Sequence, residues 1–555
     1  MKKLIIVFCV LFLLQFNEAH LEPLLLDSIT PYFIIRTQSG LNANNISTWV
    51  WNSGVFNQDL RTTNTSGFQW PKGSGKFAIY TAGLTIGAYI NNNLRLAAIS
   101  YNGEYGPGYI VSGVALEDST FKVYKVNKGD NSSNNSDYAN WGRMVPYGAP
   151  YLDVNNNGVY DAGIDKPGVQ NAAQTIFECI TDGFPDLHST SEGFYGGTLP
   201  LYSEMHLTAW CYDNINGLSD VQFLKMEILN KSDYNWEKTY FGIVCDPDLG
   251  DSHDDFTGCD SNRNLGYCYN ADNMDGNGIG ATYGANPPAV GYDFLRSAVN
   301  KHVFPNVELR MSSFHFYQKE SQPSPPCENE ILNSPVESYN YLTGAKKDLT
   351  PFINPLTMHS TKFVYSGDPE TDEGWTQHKG KINNCGGALS GPFDTAYAGE
   401  IRFVMSSGAD NLTIFPNEKQ TFVIAQMIAR GTSNLNSVTK LKQLDDYVQT
   451  VYDNNFAIGI RPISNDVPDK FSLFQNYPNP FNPSTKIKFE IAKSDFVNLT
   501  VFDLSGKVVE QLVNEKLNEG IYEVNFTAKN ISSGIYFYRL STDNFTQTNR
   551  MILVK

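Results

Sequence analysis

Three prolines within a stretch of eight residues decide how this chain can end. In Asn476-Tyr477-Pro478-Asn479-Pro480-Phe481-Asn482-Pro483, each proline fixes φ and removes an amide donor, so no helix can run through the segment. Short runs rich in alternating apolar residues follow at 486–491, 497–502, 507–513, 520–526, 535–540 and 546–554. Ser505-Gly506, Asn518-Glu519-Gly520 and Ser532-Ser533-Gly534 separate them. Turn residues between period-two runs predict antiparallel strands, and six or seven of them in so short a span predict an immunoglobulin-like sandwich over 470–555.

The same pattern extends upstream. Residues 84–90 and 94–101 flank Asn91-Asn92-Asn93, and asparagine tolerates positive φ, so a hairpin is expected. A second hairpin is expected from 221–229 and 236–245, joined through Asn230-Lys231-Ser232-Asp233. Residues 401–405 and 421–428 read as strands. One segment keeps a different period: Val438, Leu441, Leu444, Val448 and Val451 recur at three- and four-residue steps, with Asn436 or Ser437 as N-cap. This predicts one helix packed on a sheet. With 31 Tyr, 34 Phe and many turn residues, the expected fold class is mainly β: tandem β-sandwich-like domains, a C-terminal immunoglobulin-like sandwich and few helices. The expected boundaries are 20–125 (β-rich), 126–300 (β-rich, with two Asp/Asn-rich loops), 301–456 (β-rich, ending in the helix), 457–469 (a linker holding Pro462 and Pro468) and 470–555.

At the other end, Met1-Lys2-Lys3 precedes an apolar run from Leu4 to Phe16. This predicts a cleaved signal peptide over 1–19, too short to remain as a membrane anchor, and no later apolar run is long enough to span a membrane. The net charge of −17 argues against a nucleic-acid partner, because phosphate contacts need clustered Lys and Arg. Beyond Cys9 the chain holds Cys179, Cys211, Cys245, Cys259, Cys268, Cys327 and Cys385. An odd number leaves at least one thiol free, or paired with another chain. Cys259 and Cys268, close together in an acidic stretch, are the expected local disulfide.

The C-terminal segment resembles the type A C-terminal sorting domain of the type IX secretion system of the Bacteroidetes–Chlorobi group. The resemblance rests on Tyr477-Pro478-Asn479-Pro480-Phe481-Asn482-Pro483-Ser484-Thr485, Val501-Phe502-Asp503-Leu504-Ser505-Gly506-Lys507, Ser533-Gly534-Ile535-Tyr536-Phe537-Tyr538-Arg539-Leu540 and Met551-Ile552-Leu553-Val554-Lys555. It implies export across both membranes, with the type IX machinery as partner through 470–555 and an extracellular or outer-membrane-surface location. The body resembles secreted proteins of unassigned activity that carry the same tail. That resemblance rests on Gly67-Phe68-Gln69-Trp70-Pro71, Asp246-Pro247-Asp248-Leu249-Gly250-Asp251 and 283–291, and it implies placement but no chemistry.

Two stretches offer metal-ligand chemistry. In Asp153-Val154-Asn155-Asn156-Asn157-Gly158-Val159-Tyr160-Asp161, oxygen side chains fall at alternate positions and a glycine stands at the sixth. This is the spacing of a calcium loop, with Asp153, Asn155, Asn157, the Val159 carbonyl and Asp161 as ligands. Ile164 stands where an EF-hand has Glu, and Asp165 is the expected substitute. The second stretch, 246–275, holds Asp246, Asp248, Asp251, Asp254, Asp255, Asp260, Asp272 and Asp275 against a single cation, Arg263. Carboxylates crowded this way repel unless a counter-ion joins them. Structural calcium is therefore the expected cofactor, with Asp246, Asp248, Asp251, Asp254 and Asp255 as its second ligand group.

No HExxH, GxSxG or GxxxxGK[ST] motif occurs. Asp368, Glu370, Asp372 and Glu373 beside Trp375 offer a carboxylate pair to a glycosidase reading, but a solvated turn around Pro369 explains them as well. His206, in Met205-His206-Leu207, reads as a packed strand residue. The sequence therefore favours a calcium-stabilised binding, adhesive or structural module with a glycan or surface partner. A secreted hydrolase acting on polysaccharide or protein is the alternative.

Overall fold

The computed structural model describes residues 36–555, apart from 62–64, 119, 156, 189–192, 214–216, 278–279, 320–323, 455, 457–459, 465–467, 518, 529–530 and 544. The expected signal segment at 1–19 lies outside the described residues. The fold is mainly β, and each part of it is a sandwich.

In the body, two antiparallel sheets share one core. The larger runs in the order Tyr124–Asn127, Gln174–Thr181, Ser203–Cys211, Val221–Asn230, Lys419–Ala429, Ala289–Arg296, Leu265–Asn270, Asp255–Asp260, with Gly106–Pro107 attached to Gln174–Thr181. The smaller runs Ser313–Gln318, Ile401–Gly408, Glu237–Asp246, Thr81–Ile90, Asn93–Ala97. Alternate residues of each strand point to opposite faces. Leu224, Met226 and Ile228 meet the side chains of Phe241, Ile243 and Cys245 in one core between the sheets. Val221 and Phe223, on the other face, pack with Val438, Leu441 and Val448 of the Asn434–Asp453 helix. Burial on both faces is why these strands read as nearly unbroken apolar runs. The Pro335–Leu342 helix covers the smaller sheet, setting Tyr339, Tyr341 and Leu342 against Tyr240, Val244 and Val404. A short helix at Ser136–Asn140, followed by Trp141, covers the corner around Phe177 and Cys179.

The Asn91-Asn92 hairpin forms as expected. Ile90 pairs with Asn93, and both central asparagines have positive φ, 50° and 62°. The second expected hairpin does not form. Val221–Asn230 pairs with Ser203–Cys211 and Lys419–Ala429, whereas Glu237–Asp246 pairs with Thr81–Ile90 and Ile401–Gly408. The connection crosses from one sheet to the other instead. Asn230 accepts from Ser232 and donates to the carbonyls of Tyr234 and Ile414, which fixes the crossing. The long helix begins earlier than its period suggests. Its N-cap is Ser433, which accepts from Asn436 N, while Ser437 donates to the carbonyls of Pro287 and Ser433.

The expected Cys259–Cys268 bond is replaced by Cys327–Cys385, and Cys259 and Cys268 are buried free thiols. In the ladder Cys259 faces Gly266 and Cys268 faces Thr257. The two cysteines are therefore diagonal neighbours, roughly 7–8 Å apart, beyond the usual reach of a disulfide. Strands from all three body segments alternate within the two sheets, so those segments share a core.

The tail is a separate sandwich of two four-stranded sheets. One is Ile460–Ser464, Gly520–Thr527, Ser484–Ile491, Ser472–Leu473; the other is Val508–Leu517, Asp495–Phe502, Gly534–Ser541, Thr546–Leu553. Its own core includes Ile487, Phe489, Leu499, Val501, Tyr538 and Leu540. The proline-rich segment lies along the final strand. Phe481 is buried, its N–H donates to the carbonyl of Ile552 (2.9 Å), and its carbonyl accepts from Val554 N (3.0 Å). Within the segment read as a linker, Ile460–Ser464 forms a strand of this sandwich, and 457–459 and 465–467 lie outside the described residues.

Candidate functional site

The first acidic loop is closed by a two-residue ladder, Tyr151–Leu152 with Lys166–Pro167. Between these ends the polar side chains bond to one another and to the loop backbone. Asp153 accepts from the N–H groups of Asn157 (3.2 Å) and Gly158 (2.7 Å), and Asn157 Oδ1 accepts from Val159 N (2.8 Å). Asn155 and Asn157 both donate their side-chain amides to Asp161 Oδ2, at 2.8 and 2.6 Å. These bonds hold the Asp161 carboxyl below the usual carboxylate range. Gly158 has φ +77°, the left-handed geometry the bend requires. Asp165 is buried, and its two oxygens accept from Val154 N (2.9 Å) and Asp161 N (2.7 Å), which ties the two ends together. The structure therefore brings Asp153, Asn155, Asn157 and Asp161 together, with Asp165 as an anchor at the neck and the Val159 side chain pointing to solvent. The Asn155 and Asn157 side-chain oxygens accept from the backbone N–H groups of Asn157 and Val159, while their amide nitrogens face Asp161.

The second stretch is not one loop. Asp255 and Asp260 lie on a strand of the larger sheet, and Asp246 ends a strand of the smaller one. The carboxylates divide between two environments. Asp246 accepts from the Tyr101 hydroxyl and faces Arg402 at 3.5 Å. The guanidinium of Arg402 also meets Glu330 (3.2 Å) and Glu400 (3.5 Å), and Lys319 meets Glu400 at 2.9 Å. Burial, together with the charges of Asp246 and Glu400, pushes the neighbouring Asp248 up to about 8.

Asp251, Asp254, Asp255 and Asp275 lie in the other, where each is held by backbone or Asn270 donors and no three of them bring oxygens within 4.8 Å of one another. Asp275 accepts from Asp251 N (2.8 Å) and Tyr283 N, and Asp254 from Asn270 Nδ2 and Gly276 N (2.9 Å). Gly250, at φ +76°, lies so close that a Cβ there would stand 1.9 Å from Asp275 Oδ2. Burial pushes Asp254 up to about 6 and raises Asp255 well above the ordinary range. Asp255 Oδ2 accepts from Leu249 N (3.1 Å), while its buried Oδ1 finds no hydrogen-bond partner among the described residues.

Three arrangements escape the sequence. One is the Tyr101–Asp246–Arg402 contact, whose members lie 145 and 301 residues apart. The second is a pair of buried carboxyls, Asp293 on the larger sheet and Asp445 on the long helix. Burial and then mutual repulsion raise Asp293, and Asp445 is pushed up to about 8 chiefly by burial. A cleft of about 400 Å³, bordered by Arg263, Glu308, Arg310 and Asp445, adjoins them. The third is a cleft of about 490 Å³ lined by Tyr89, Lys238, Tyr240, Tyr339, Asn340 and Asp410. There Tyr339 packs edge-on against Tyr89 and Tyr240 (ring centroids 5.2 and 5.8 Å), and Tyr240 donates to Asp410 at 3.0 Å.

The carboxylates at 368–373 are engaged in different directions. Asp368 meets Lys442 (2.7 Å), Glu370 accepts from Asn436 and Thr439, and Asp372 pairs with His378 and Lys379. Trp375 is buried against Tyr365 rather than lining a cleft. Among the described residues, no helix is long and apolar enough to cross a membrane.

No curated protein matches the chain. Among solved structures, one reported as PorZ, an essential bacterial surface component of the type-IX secretion system of Porphyromonas gingivalis, aligns over 92% of this chain and 74% of its own. At 8% identity and a TM-score of 0.14, that likeness carries no argument. Residues 475–555 match the family model of the secretion system C-terminal sorting domain. The two-sheet tail, with its proline-rich segment along the last strand, is thus a type IX secretion sorting domain, which implies export of the chain to the cell surface or extracellular space.

Proposed function

We propose that the body is a calcium-stabilised binding, adhesive or structural module, delivered outside the cell by its tail. The observation that supports calcium is the 153–165 loop. Four oxygen-bearing side chains at alternate positions are gathered over a neck fastened by Asp165. The second expected ligand group, Asp246, Asp248, Asp251, Asp254 and Asp255, does not converge in the same way, so the calcium reading rests on the first loop. Extracellular sites of this kind hold calcium at roughly 10⁻⁴–10⁻³ M, an affinity suited to fastening loops. Recognition is assigned to the tyrosine-lined cleft. Its rings and the polar groups Lys238, Asn340 and Asp410 suit a glycan better than an apolar ligand.

The test is thermal unfolding of the secreted protein with chelator and with calcium. Chelator is expected to lower the melting temperature by several degrees and calcium to restore it. Asp153→Ala with Asp161→Ala is expected to remove part of the shift. Equal melting in both conditions would refute calcium. Glycan-array binding that Tyr339→Ala and Asp410→Ala abolish would support the cleft, whereas turnover of glycans or casein would establish the hydrolase instead.

A further inference from the structure

The larger sheet carries a second kind of donor set, away from the acidic loops. Cys179 and His206 are direct cross-strand partners, and Glu204 lies two residues from His206 on the same face of its strand. One ligand atom from each, a sulfur, a carboxylate oxygen and a ring nitrogen, lies within 4.8 Å of the other two. His206 Nε2 already stands 2.8 Å from Glu204 Oε1. The cluster is covered rather than solvated. Cys179 is 2% and Glu204 4% exposed, and the His206 side chain is 11% exposed.

The surroundings hold these groups in place. Glu204 Oε2 accepts from Ile110 N (2.8 Å), which leaves Oε1 toward the histidine. Cys179 Sγ lies 3.3 Å from the carbonyl of Gly108. Tyr147 packs edge-on against the imidazole. Gly148, at φ +93°, closes over the ring. A Cβ there would stand 3.2 Å from Glu227 Oε2 and 4.0 Å from His206 Nδ1. Glu227 is also the cross-strand partner of His206, and its carboxylate meets Lys419 (2.8 Å) and Lys225 (3.4 Å).

We propose that Cys179, Glu204 and His206 are the three protein ligands of a borderline divalent transition-metal ion of the zinc class. The donor set decides the class. Calcium takes only oxygen ligands, whereas one thiolate, one imidazole and one carboxylate suit zinc or cobalt. The thiol loses its proton to solvent as the S–metal bond forms, and thiolate plus carboxylate then balance the ion's two charges. Three protein ligands leave the fourth tetrahedral position to a water. The other cluster of three such groups among the described residues is Cys327, Asp348 and Cys385; its two sulfurs form the disulfide, so it has no thiolate to offer.

The test uses the full chain, stripped with chelator and titrated with cobalt(II) alone. One equivalent is expected to produce a near-ultraviolet thiolate-to-cobalt band together with the visible bands of a tetrahedral ion. Zinc should discharge both, and excess calcium neither. Cys179→Ser should abolish the thiolate band and His206→Ala should weaken binding at least tenfold, while Cys211→Ser, at another buried thiol, should leave both unchanged. X-ray absorption of the zinc-loaded wild-type chain is expected to show one sulfur at about 2.3 Å, a readout that needs no variant to fold. A shell without sulfur, no bound ion, or a thiolate band that survives Cys179→Ser would overturn the proposal.

Discussion

Asp445 and Asp293 bury two carboxyls against each other, and the consequence is a pH-dependent stability. An unfolded aspartate titrates near 4, whereas Asp445 in the fold is pushed up to about 8. Between those values the folded chain holds a proton that the unfolded chain has released. Stability therefore falls as pH rises through this window, by up to about 1.4 kcal/mol per pH unit for one proton. Asp445→Asn is expected to flatten that slope, gaining stability over wild type at pH 8 and little at pH 5, as read by urea unfolding at both values. Two kinds of residue site differ sharply in how legible they were. Asp153, Asn155, Asn157 and Asp161 could be read from sequence because a tight loop makes near neighbours in sequence near neighbours in space. Asp246 and Arg402 could not, because their contact depends on which strands become adjacent, and no local pattern encodes that.

At the scale of elements, period carried most of the information. All six strands expected after the proline-rich segment form, and the Val438–Val451 spacing marks the buried face of the long helix. Its start was missed because Ser433 caps from outside the apolar repeat. Ser433→Ala removes the acceptor for Asn436 N and is expected to cost about 1 kcal/mol, measurable by denaturant unfolding. The crossing between Val221–Asn230 and Glu237–Asp246 was misread as a hairpin for a different reason. Two apolar strands joined by a short polar connection look alike whether they pair side by side or face each other across a core. The same ambiguity hid the metal-type cluster on the Gln174–Thr181 and Ser203–Cys211 strands, since its members lie 27 and 25 positions apart in sequence and meet only through register.

At the scale of the whole molecule, one cross-link and one strand hold distant parts together. Cys327–Cys385 closes a loop between residues 58 apart. Cys327→Ser with Cys385→Ser is expected to cost roughly 3–5 kcal/mol, seen as a lower melting temperature that reductant no longer changes. The strand Lys419–Ala429 lies between Val221–Asn230 and Ala289–Arg296, and its Gln426 bonds to Gln222, 204 residues earlier. The two halves of the larger sheet are therefore joined only through a strand that comes late in the chain. Non-local pairing of this kind is slow. A chain cut short before Lys419 would leave each half of that sheet with an unpaired edge.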